Sequence, residues 1–256
     1  MTRRLPLSPQ ETHYVLIRGL IRSRFHWHEF PNRLLRQDGV SNVVLPELAG
    51  NGERWNKATP HGIHAMMEDI RQQSRSLLPD PMPPVRLVAV SMGAMIATEW
   101  ARCYPQEVQQ LHLINTSFGT FSRPWQRMQL SALMPLLRHF RILPEREAAI
   151  AQYTLRTPLA PARLQQWIAF ARKHPVSLRN TLIQVASASR YRGLPHAPCE
   201  HTRIYSSPHD QLVSHRCSNA IAQHWNVPLM QHPDAGHDLP LDAPEWLVKK
   251  ILQPES

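Results

Sequence analysis

Residues 85–94 read VRLVAVSMGA, and this segment indicates the architecture of the chain. Its first six residues are nearly all apolar and rich in β-branched side chains, which is typical of a central parallel strand covered on both faces. The motif Ser-Met-Gly follows at once, and a helix is predicted from there to about Tyr104, where Pro105 closes it. A buried strand that passes directly into a helix is the repeating unit of α/β sheets.

Further strands are predicted on both sides of this segment. Short apolar runs bounded by glycine, proline or polar residues mark them, and helical periodicities lie between them. The strands are expected at residues 13–19, 41–48, 110–115, 202–206 and 227–232. The helices between them are expected near residues 27–37, 61–78, 215–224 and 242–252. Strands that alternate with helices predict an α/β fold with a mostly parallel sheet of about six strands and helices on both faces.

The pattern changes after the fourth predicted strand. Residues 118–192 show only helical signatures, near 125–140, 145–155, 162–174 and 177–191. We therefore predict a core formed by residues 1–117 and 193–256, and an all-helical insertion at 118–192. Ligands of open α/β sheets bind at the carboxyl edge of the strands, so an insertion over that edge is expected to act as a lid.

Ser91 is the candidate nucleophile because it lies at the turn from the best strand into a helix. The turn must be tight, and it requires small residues two positions before and two positions after the serine. Ala89 and Gly93 meet that requirement, with alanine in place of the usual first glycine. The backbone amide of Met92, at the start of the helix, would face a developing oxyanion.

A base and an acid for Ser91 are found in two later loops. Asp210 follows the predicted strand at 202–206, and His237 follows the predicted last strand. The chain order is therefore Ser, Asp, His, with each residue at the carboxyl end of a different strand. We predict that Asp210 orients His237, which in turn activates Ser91.

These loops resemble those of the α/β-hydrolase superfamily, in particular its lid-bearing serine esterases and lipases, over nearly the whole chain. Arg18-Gly19-Leu20 with Trp27 looks like the family's oxyanion loop, although Arg18 stands where a histidine is common. The resemblance implies that the Leu20 and Met92 amides form the oxyanion hole. The loop at 46–52 resembles another family loop that usually carries an aspartate, and the family's first two strands are expected to be missing.

The net charge of +10 is concentrated in the predicted insertion, since residues 118–192 contain twelve basic and two acidic residues. A field of one sign attracts opposite partners. The candidate partners of the insertion are an anionic substrate, an acidic acyl carrier protein, an anionic membrane surface and RNA. Of these, a nucleic acid such as RNA is disfavoured. The chain is loosely similar to the esterase of biotin synthesis that acts on acyl carrier protein. Four residues are candidates for the substrate pocket: Arg18, Trp27, Met128 and Trp167.

Composition and spacing narrow the class of protein further, with respect to membrane insertion, secretion and bound cofactors. No apolar run approaches the roughly 20 residues of a membrane-spanning helix. Residues 1–13 lack the apolar core of a secretory signal, and the three cysteines form no CxxC pair. We therefore expect a cytoplasmic protein. The fifteen histidines show no metal-ligand spacing, and no nucleotide-binding glycine motif is present, so neither a metal nor an organic cofactor is predicted.

The sequence thus predicts an esterase that cleaves a carboxylic ester or thioester through an acyl-enzyme on Ser91. Two alternatives stay open. The same three residues could serve a lyase or a hydrolase of carbon–carbon bonds, as in some relatives. A non-catalytic protein could also use the basic insertion to bind an acidic partner, although it would have no need of all three groups.

Overall fold

A computed structural model describes residues 11–254, which form one six-stranded parallel sheet flanked by helices. The strands lie in the spatial order β2-β1-β3-β4-β5-β6. Their bounds are Thr12–Ile17, Val40–Val44, Val85–Val90, Val108–Ile114, Thr202–Ser206 and Leu229–Gln231 for β1 to β6. The predicted α/β class, strand number and parallel pairing are confirmed.

Eleven α-helices are present in the described part of the chain. In chain order, α1 to α11 are Phe30–Leu35, Ile63–Leu77, Met92–Cys103, Pro124–Arg127, Leu130–Arg138, Leu143–Thr154, Pro161–Lys173, Leu178–Arg190, His215–Trp225, Leu239–Asp242 and Pro244–Ile251. Three short 3₁₀ helices lie at Arg24–Trp27, Gly52–Arg54 and Pro105–Glu107. The N-terminal segment that is predicted not to be a secretory signal lies largely outside the described residues.

The central strands are buried on both faces because their residues alternate between two apolar cores. Val15 and Ile17 of β1 pack into the core beneath α2 and α3, whereas Tyr14 and Leu16 pack into the core beneath α1 and α11. Successive side chains of a strand point to opposite faces, so a nearly continuous apolar run is what a doubly covered strand requires. The apolar segment at 85–90, here β3, is explained in the same way.

Element ends account for most differences from the sequence predictions. Strand β2 ends at Val44 rather than residue 48, two residues before Pro46, which cannot donate a backbone hydrogen bond. The helix expected at 27–37 is α1, which begins only at Phe30, because His28, whose φ is +48°, separates it from the 3₁₀ helix that ends at Trp27. Positive φ breaks the helical path, and no apolar periodicity reveals it.

The segment between β4 and β5 contains five helices, α4 to α8, rather than the four expected. The first predicted helix is divided at Met128 and Gln129, which both have extended backbones. Gln129 donates from its backbone to Leu212 and from its side-chain amide to the Asp210 carbonyl oxygen, at 2.9 and 2.7 Å. These bonds to a loop of the core replace helical hydrogen bonds, so the helix is interrupted there.

Buried contacts fasten this helical segment to the loop that follows β1. Arg22 forms an ion pair of 2.8 Å with Glu147 of α6, and both side chains are buried. Phe25 stacks on Phe170 of α7 with ring centroids 4.2 Å apart. Trp167, which is fully buried, donates from Nε1 to His28 at 3.0 Å.

None of the helices in residues 11–254 is long and apolar enough to cross a bilayer.

His112 makes the stability of the sheet dependent on pH. Its ring is fully buried in β4, where it contacts the Tyr205 hydroxyl at 2.9 Å, and burial together with the charges of Arg203 and Arg86 lowers its pKa from 6.5 to about 3. Between those values the unfolded chain binds a proton that the folded chain does not. The His112 contribution is therefore complete above pH 6.5 and is lost progressively as the pH falls.

We expect His112→Gln to reduce the pH dependence of the free energy of unfolding. The slope below pH 6.5 should fall by up to about 1.4 kcal/mol per pH unit, which is the share of one histidine. Urea denaturation of both proteins at pH 7 and pH 5 measures this, and subtracting one profile from the other removes the share of the other histidines. Parallel profiles for the two proteins would contradict the assignment.

Candidate active site

Ser91 occupies the turn between β3 and α3, and its backbone is strained. Its φ is +57° and its ψ is −120°, a conformation that L-residues rarely adopt. The turn is held on both sides: the Ser91 amide donates to Ile114 at 2.9 Å, and the Ser91 carbonyl accepts from Thr116 Oγ1 at 2.9 Å. Such strain concentrates at functional sites, where the surrounding structure maintains it.

Two glycines explain why the turn can be so tight. A Cβ placed on Gly93 would lie 2.4 Å from the Ile17 carbonyl oxygen, so the residue two positions after the serine has no room for a side chain. A Cβ placed on Gly19 would lie 3.1 Å from the Cβ of Ser91 and 3.6 Å from its Oγ. The loop after β1, which carries Leu20, therefore lies directly against the candidate nucleophile.

Asp210 and His237 meet in a buried hydrogen bond. His237 Nδ1 lies 2.7 Å from Asp210 Oδ2, and both residues are 5% exposed. The other oxygen, Asp210 Oδ1, accepts from the backbone amides of Leu212 and Val213 at 2.8 and 2.9 Å. These bonds fix the carboxylate, which orients the imidazole and leaves Nε2 free to act as a base when Nδ1 carries the proton.

A residue that the sequence does not single out joins the loops of this site. Asn115 follows β4 with a φ of +46° and is almost completely buried. Its side-chain amide donates to the carbonyl oxygens of Gly236 and His237, at 3.1 and 2.8 Å, and its Oδ1 accepts from the Ser207 amide at 3.0 Å. Its position at the carboxyl end of a predicted strand is the one feature of the sequence that could have indicated a role for Asn115. Its side chain has no acid–base group, so that position alone does not single it out.

The segment 114–116 therefore connects the nucleophile turn to the histidine loop. Ile114 and Thr116 bond to the Ser91 backbone, while Asn115 bonds to the His237 backbone. Among the described residues, no hydrogen bond joins Ser91 Oγ to His237. Contacts of this kind are often long in a free enzyme and shorten when substrate binds. The structure forms the contact between His237 and Asp210, and the contact between Ser91 and His237 stays a prediction.

Arg18, a predicted pocket residue, is engaged in a buried ion pair. Its two terminal nitrogens donate to the Asp238 carboxylate at 2.9 and 2.6 Å, and its guanidinium lies 4.9 Å from the Trp27 ring. Burial raises the pKa of Asp238, but the charge and hydrogen bonds of Arg18 outweigh it and hold that pKa below its ordinary value. The pair supports the backbone next to His237, and any contact of Arg18 with substrate stays a prediction.

The other predicted pocket residues lie in different environments. Trp27 is 1% exposed and stacks with Phe30, and Trp167 is completely buried against His28 and Arg22. Met128 is half-buried at the junction of α4 and α5. Neither tryptophan presents an open surface, so their contribution to a pocket stays a prediction, as does that of Met128.

A second group of side chains lies away from this edge of the sheet. Nitrogen, oxygen and sulfur atoms of His64, Glu99 and Cys103 lie within 4.8 Å of one another beside a cavity of about 930 Å³ that does not include Ser91. Glu99 Oε1 already accepts from Arg102 at 2.5 Å. The guanidinium compensates this carboxylate, so the cluster is accounted for without a metal, and the expectation of no metal or cofactor stays a prediction.

Comparison with known proteins identifies the family of this chain. The sequence model described as "Alpha/beta hydrolase family" matches residues 14–250. The chain belongs to the alpha/beta hydrolase family. No curated protein matches this hydrolase significantly.

Several solved structures share the fold of this hydrolase. The esterase EaEST from Exiguobacterium antarcticum is 16% identical, with a TM-score of 0.76 over 95% of this chain and 91% of that protein. A thermophilic esterase from Thermogutta terrifontis is 20% identical, with a TM-score of 0.67 over 94% and 88%. A protein of Mycobacterium tuberculosis H37Rv, BpoC, provisionally classed as a non-heme bromoperoxidase, is 22% identical, with a TM-score of 0.73 over 94% and 90%. The family supports a hydrolase activity, and these structures show that the fold is shared.

Proposed function

We propose that this alpha/beta hydrolase is a serine esterase that cleaves a carboxylic ester or thioester through an acyl-enzyme on Ser91. One observation carries the proposal: a buried Asp210–His237 hydrogen bond lies at the sheet edge where Ser91 adopts its strained turn. A structural serine needs neither the strain nor a neighbouring acid–base pair. A nucleophile needs both exposure of its oxygen and a base within reach.

In the proposed reaction, Ser91 Oγ attacks the substrate carbonyl carbon while His237 Nε2 accepts the hydroxyl proton. Asp210 holds the proton on Nδ1 and stabilises the imidazolium that forms. The carbonyl oxygen becomes an oxyanion, for which the backbone amides of Leu20 and Met92 are the proposed donors. The tetrahedral intermediate then expels the alcohol or thiol, which takes the proton from His237. Water, activated by the same histidine, hydrolyses the acyl-enzyme and restores Ser91.

The helical segment 118–192 is proposed to act as the lid of this site and to form part of its acyl pocket. It is attached directly to the acid loop, since Gln129 binds both the Asp210 and Leu212 carbonyls and Ser214 donates to Gln126 at 2.9 Å. A small acyl ester would enter between this segment and the sheet edge. The positive charge of the segment favours an acyl or leaving group that is anionic.

Labelling with a fluorophosphonate probe tests the nucleophile. We expect one probe molecule per chain, attached at Ser91 and identified by mass spectrometry of the proteolysed protein. A panel of p-nitrophenyl esters with graded chain length and charge then defines the acyl group. Failure to label Ser91 in the folded protein would contradict the proposal and favour a binding protein. Labelling of Ser91 without ester turnover, together with cleavage of a carbon–carbon bond, would instead indicate a lyase or a hydrolase of carbon–carbon bonds.

A further inference from the structure

Residues 123–142, which contain α4 and α5, combine exposed apolar and exposed basic side chains, which together we call the α4–α5 face. Its apolar members are between 52% and 64% exposed: Trp125, Leu130, Met134, Leu137 and Ile142. Its basic members are exposed as well: Arg123, Arg138 and Arg141. A single exposed apolar residue is ordinary, but five large ones within eighteen positions need an explanation.

Helical spacing places the apolar side chains on one surface. Leu130, Met134 and Leu137 are four and three residues apart, so they form a stripe along one side of α5. Ala132 is completely buried, which fixes the side of the helix that packs on the protein. The stripe therefore lies on the side of α5 opposite to Ala132 and faces away from the core. An amphipathic helix normally buries its large apolar side chains, and α5 exposes three of them.

The charge of this region has one sign. Residues 118–142 contain four arginines and no acidic residue. Arg127 is used internally, because its two terminal nitrogens donate to the carbonyl oxygens of Ser189 and Ala188 at 2.7 and 2.6 Å. The other three arginines are exposed, and the Arg123 guanidinium lies 5.3 Å from the Trp125 ring. An indole and a guanidinium side by side can both remain at a boundary between apolar and aqueous surroundings.

We propose that the α4–α5 face docks on a lipid surface that carries anionic headgroups. The stripe of α5 and Trp125 enter the boundary between headgroups and acyl chains, while the three arginines contact the phosphates. An acidic protein would match the arginines but would have to supply a complementary apolar groove as well. A lipid surface matches both halves of the face without further requirements. The proposal concerns binding and does not depend on the proposed esterase reaction.

The docked face would lie next to the candidate active site. Helix α5 begins immediately after Gln129, whose side-chain amide donates to the Asp210 carbonyl. Docking would therefore bring the acid loop close to the lipid, and a lipid-borne acyl chain would have only a short distance to travel to it. A shift of α5 on docking would also be felt directly at the loop that holds Asp210.

Co-sedimentation with vesicles tests the proposal. Vesicles of phosphatidylcholine alone are compared with vesicles containing 30% phosphatidylglycerol, with the purified full chain. We expect binding to the anionic vesicles that weakens as salt is raised, and at least tenfold weaker binding to the neutral ones. The Ser91→Ala variant should bind equally well, which separates docking from catalysis.

Substitutions in the face and matched substitutions elsewhere identify the surface that binds. Met134→Glu combined with Leu137→Glu, and Arg138→Glu combined with Arg141→Glu, should each weaken binding at least tenfold. The control is Leu35→Glu combined with Arg36→Glu, because these residues are an exposed leucine at the end of α1 and the exposed arginine that follows it, outside the face. Circular dichroism and turnover of a soluble ester check that each variant is folded.

Three results would overturn the proposal. One is the absence of binding to either kind of vesicle by the folded wild-type chain. Another is equal loss of binding in the face variants and in the control. The third is tight binding of a purified acidic protein, acyl carrier protein included, that the face variants abolish while the vesicles stay unbound. In that last case the same surface would have a protein partner.

Discussion

Replacement of Ser91 by alanine is expected to lower kcat/KM for a p-nitrophenyl acyl ester by at least about 10³-fold. The hydroxyl is the proposed nucleophile, and the alanine variant has no oxygen at this position to form the acyl-enzyme. The measurement is steady-state turnover at pH 7.5. Ser189→Ala is the matched control, since Ser189 is an exposed serine of α8 and loses the same hydroxyl. Comparable rates for Ser91→Ala and wild type would remove the basis of the proposed mechanism.

A second variant at this position separates activity from stability. Ser91→Gly should be as inactive as Ser91→Ala, but it should raise the free energy of unfolding by about 1 kcal/mol. Glycine adopts a φ of +57° without steric cost, whereas a residue strained in such a region costs on the order of 1–3 kcal/mol, part of which the greater chain entropy of glycine cancels. Urea denaturation measures the change. A destabilised Ser91→Gly would mean that the turn is not strained.

Removal of the Arg18 side chain charge is expected to have the largest effect on stability. In Arg18→Met, the buried carboxylate of Asp238 loses its ion pair, and breaking a buried pair from one side costs about 3–5 kcal/mol. The free energy of unfolding from urea denaturation at pH 7 should fall by that amount. Activity should fall as well, because Asp238 adjoins His237 in the chain.

The cause of that loss can be checked in two ways. The double variant Arg18→Met/Asp238→Leu removes both charges and should recover most of the stability, since no buried charge is left unpaired. Lowering the pH should also narrow the gap between Arg18→Met and wild type, because an unpaired buried Asp238 protonates more readily. Arg36→Met, at the exposed position that follows α1, should change stability by less than about 0.5 kcal/mol. A double variant no better than Arg18→Met would show that the arginine acts by packing.

The sequence predicts those parts of the fold that depend on local pattern. Residues 85–90 and 202–206 are strands with the predicted bounds. For residues 85–90 the reason is that a doubly covered strand is apolar on both faces, which is visible in a short window of sequence. Where the helix expected at 125–140 is divided, the reason is a contact between Gln129 and a loop more than eighty residues away. No local periodicity contains such a contact.

The candidate site was predictable for a similar reason, and only in part. Ser91, Asp210 and His237 could be found because each follows a strand and because their side chains have acid–base or nucleophilic chemistry. A pocket role for Arg18 stays a prediction, and its pair with Asp238 could not be predicted from the sequence. Asn115 was passed over because an amide does not titrate, although it holds the histidine loop in place. Positioning residues act through tertiary contacts, which the sequence does not display.

The arrangement of strands also determines at which stage of folding the candidate active site can assemble. Ser91 follows a strand at the centre of the sheet, whereas His237 follows the strand at its outer edge, and 146 positions of chain separate the two. Contacts over such separations close late and slowly, because the entropy of the long loop must be lost first. Partly folded chains that already contain much of their helix would therefore show no activity in an assay that requires both Ser91 and His237.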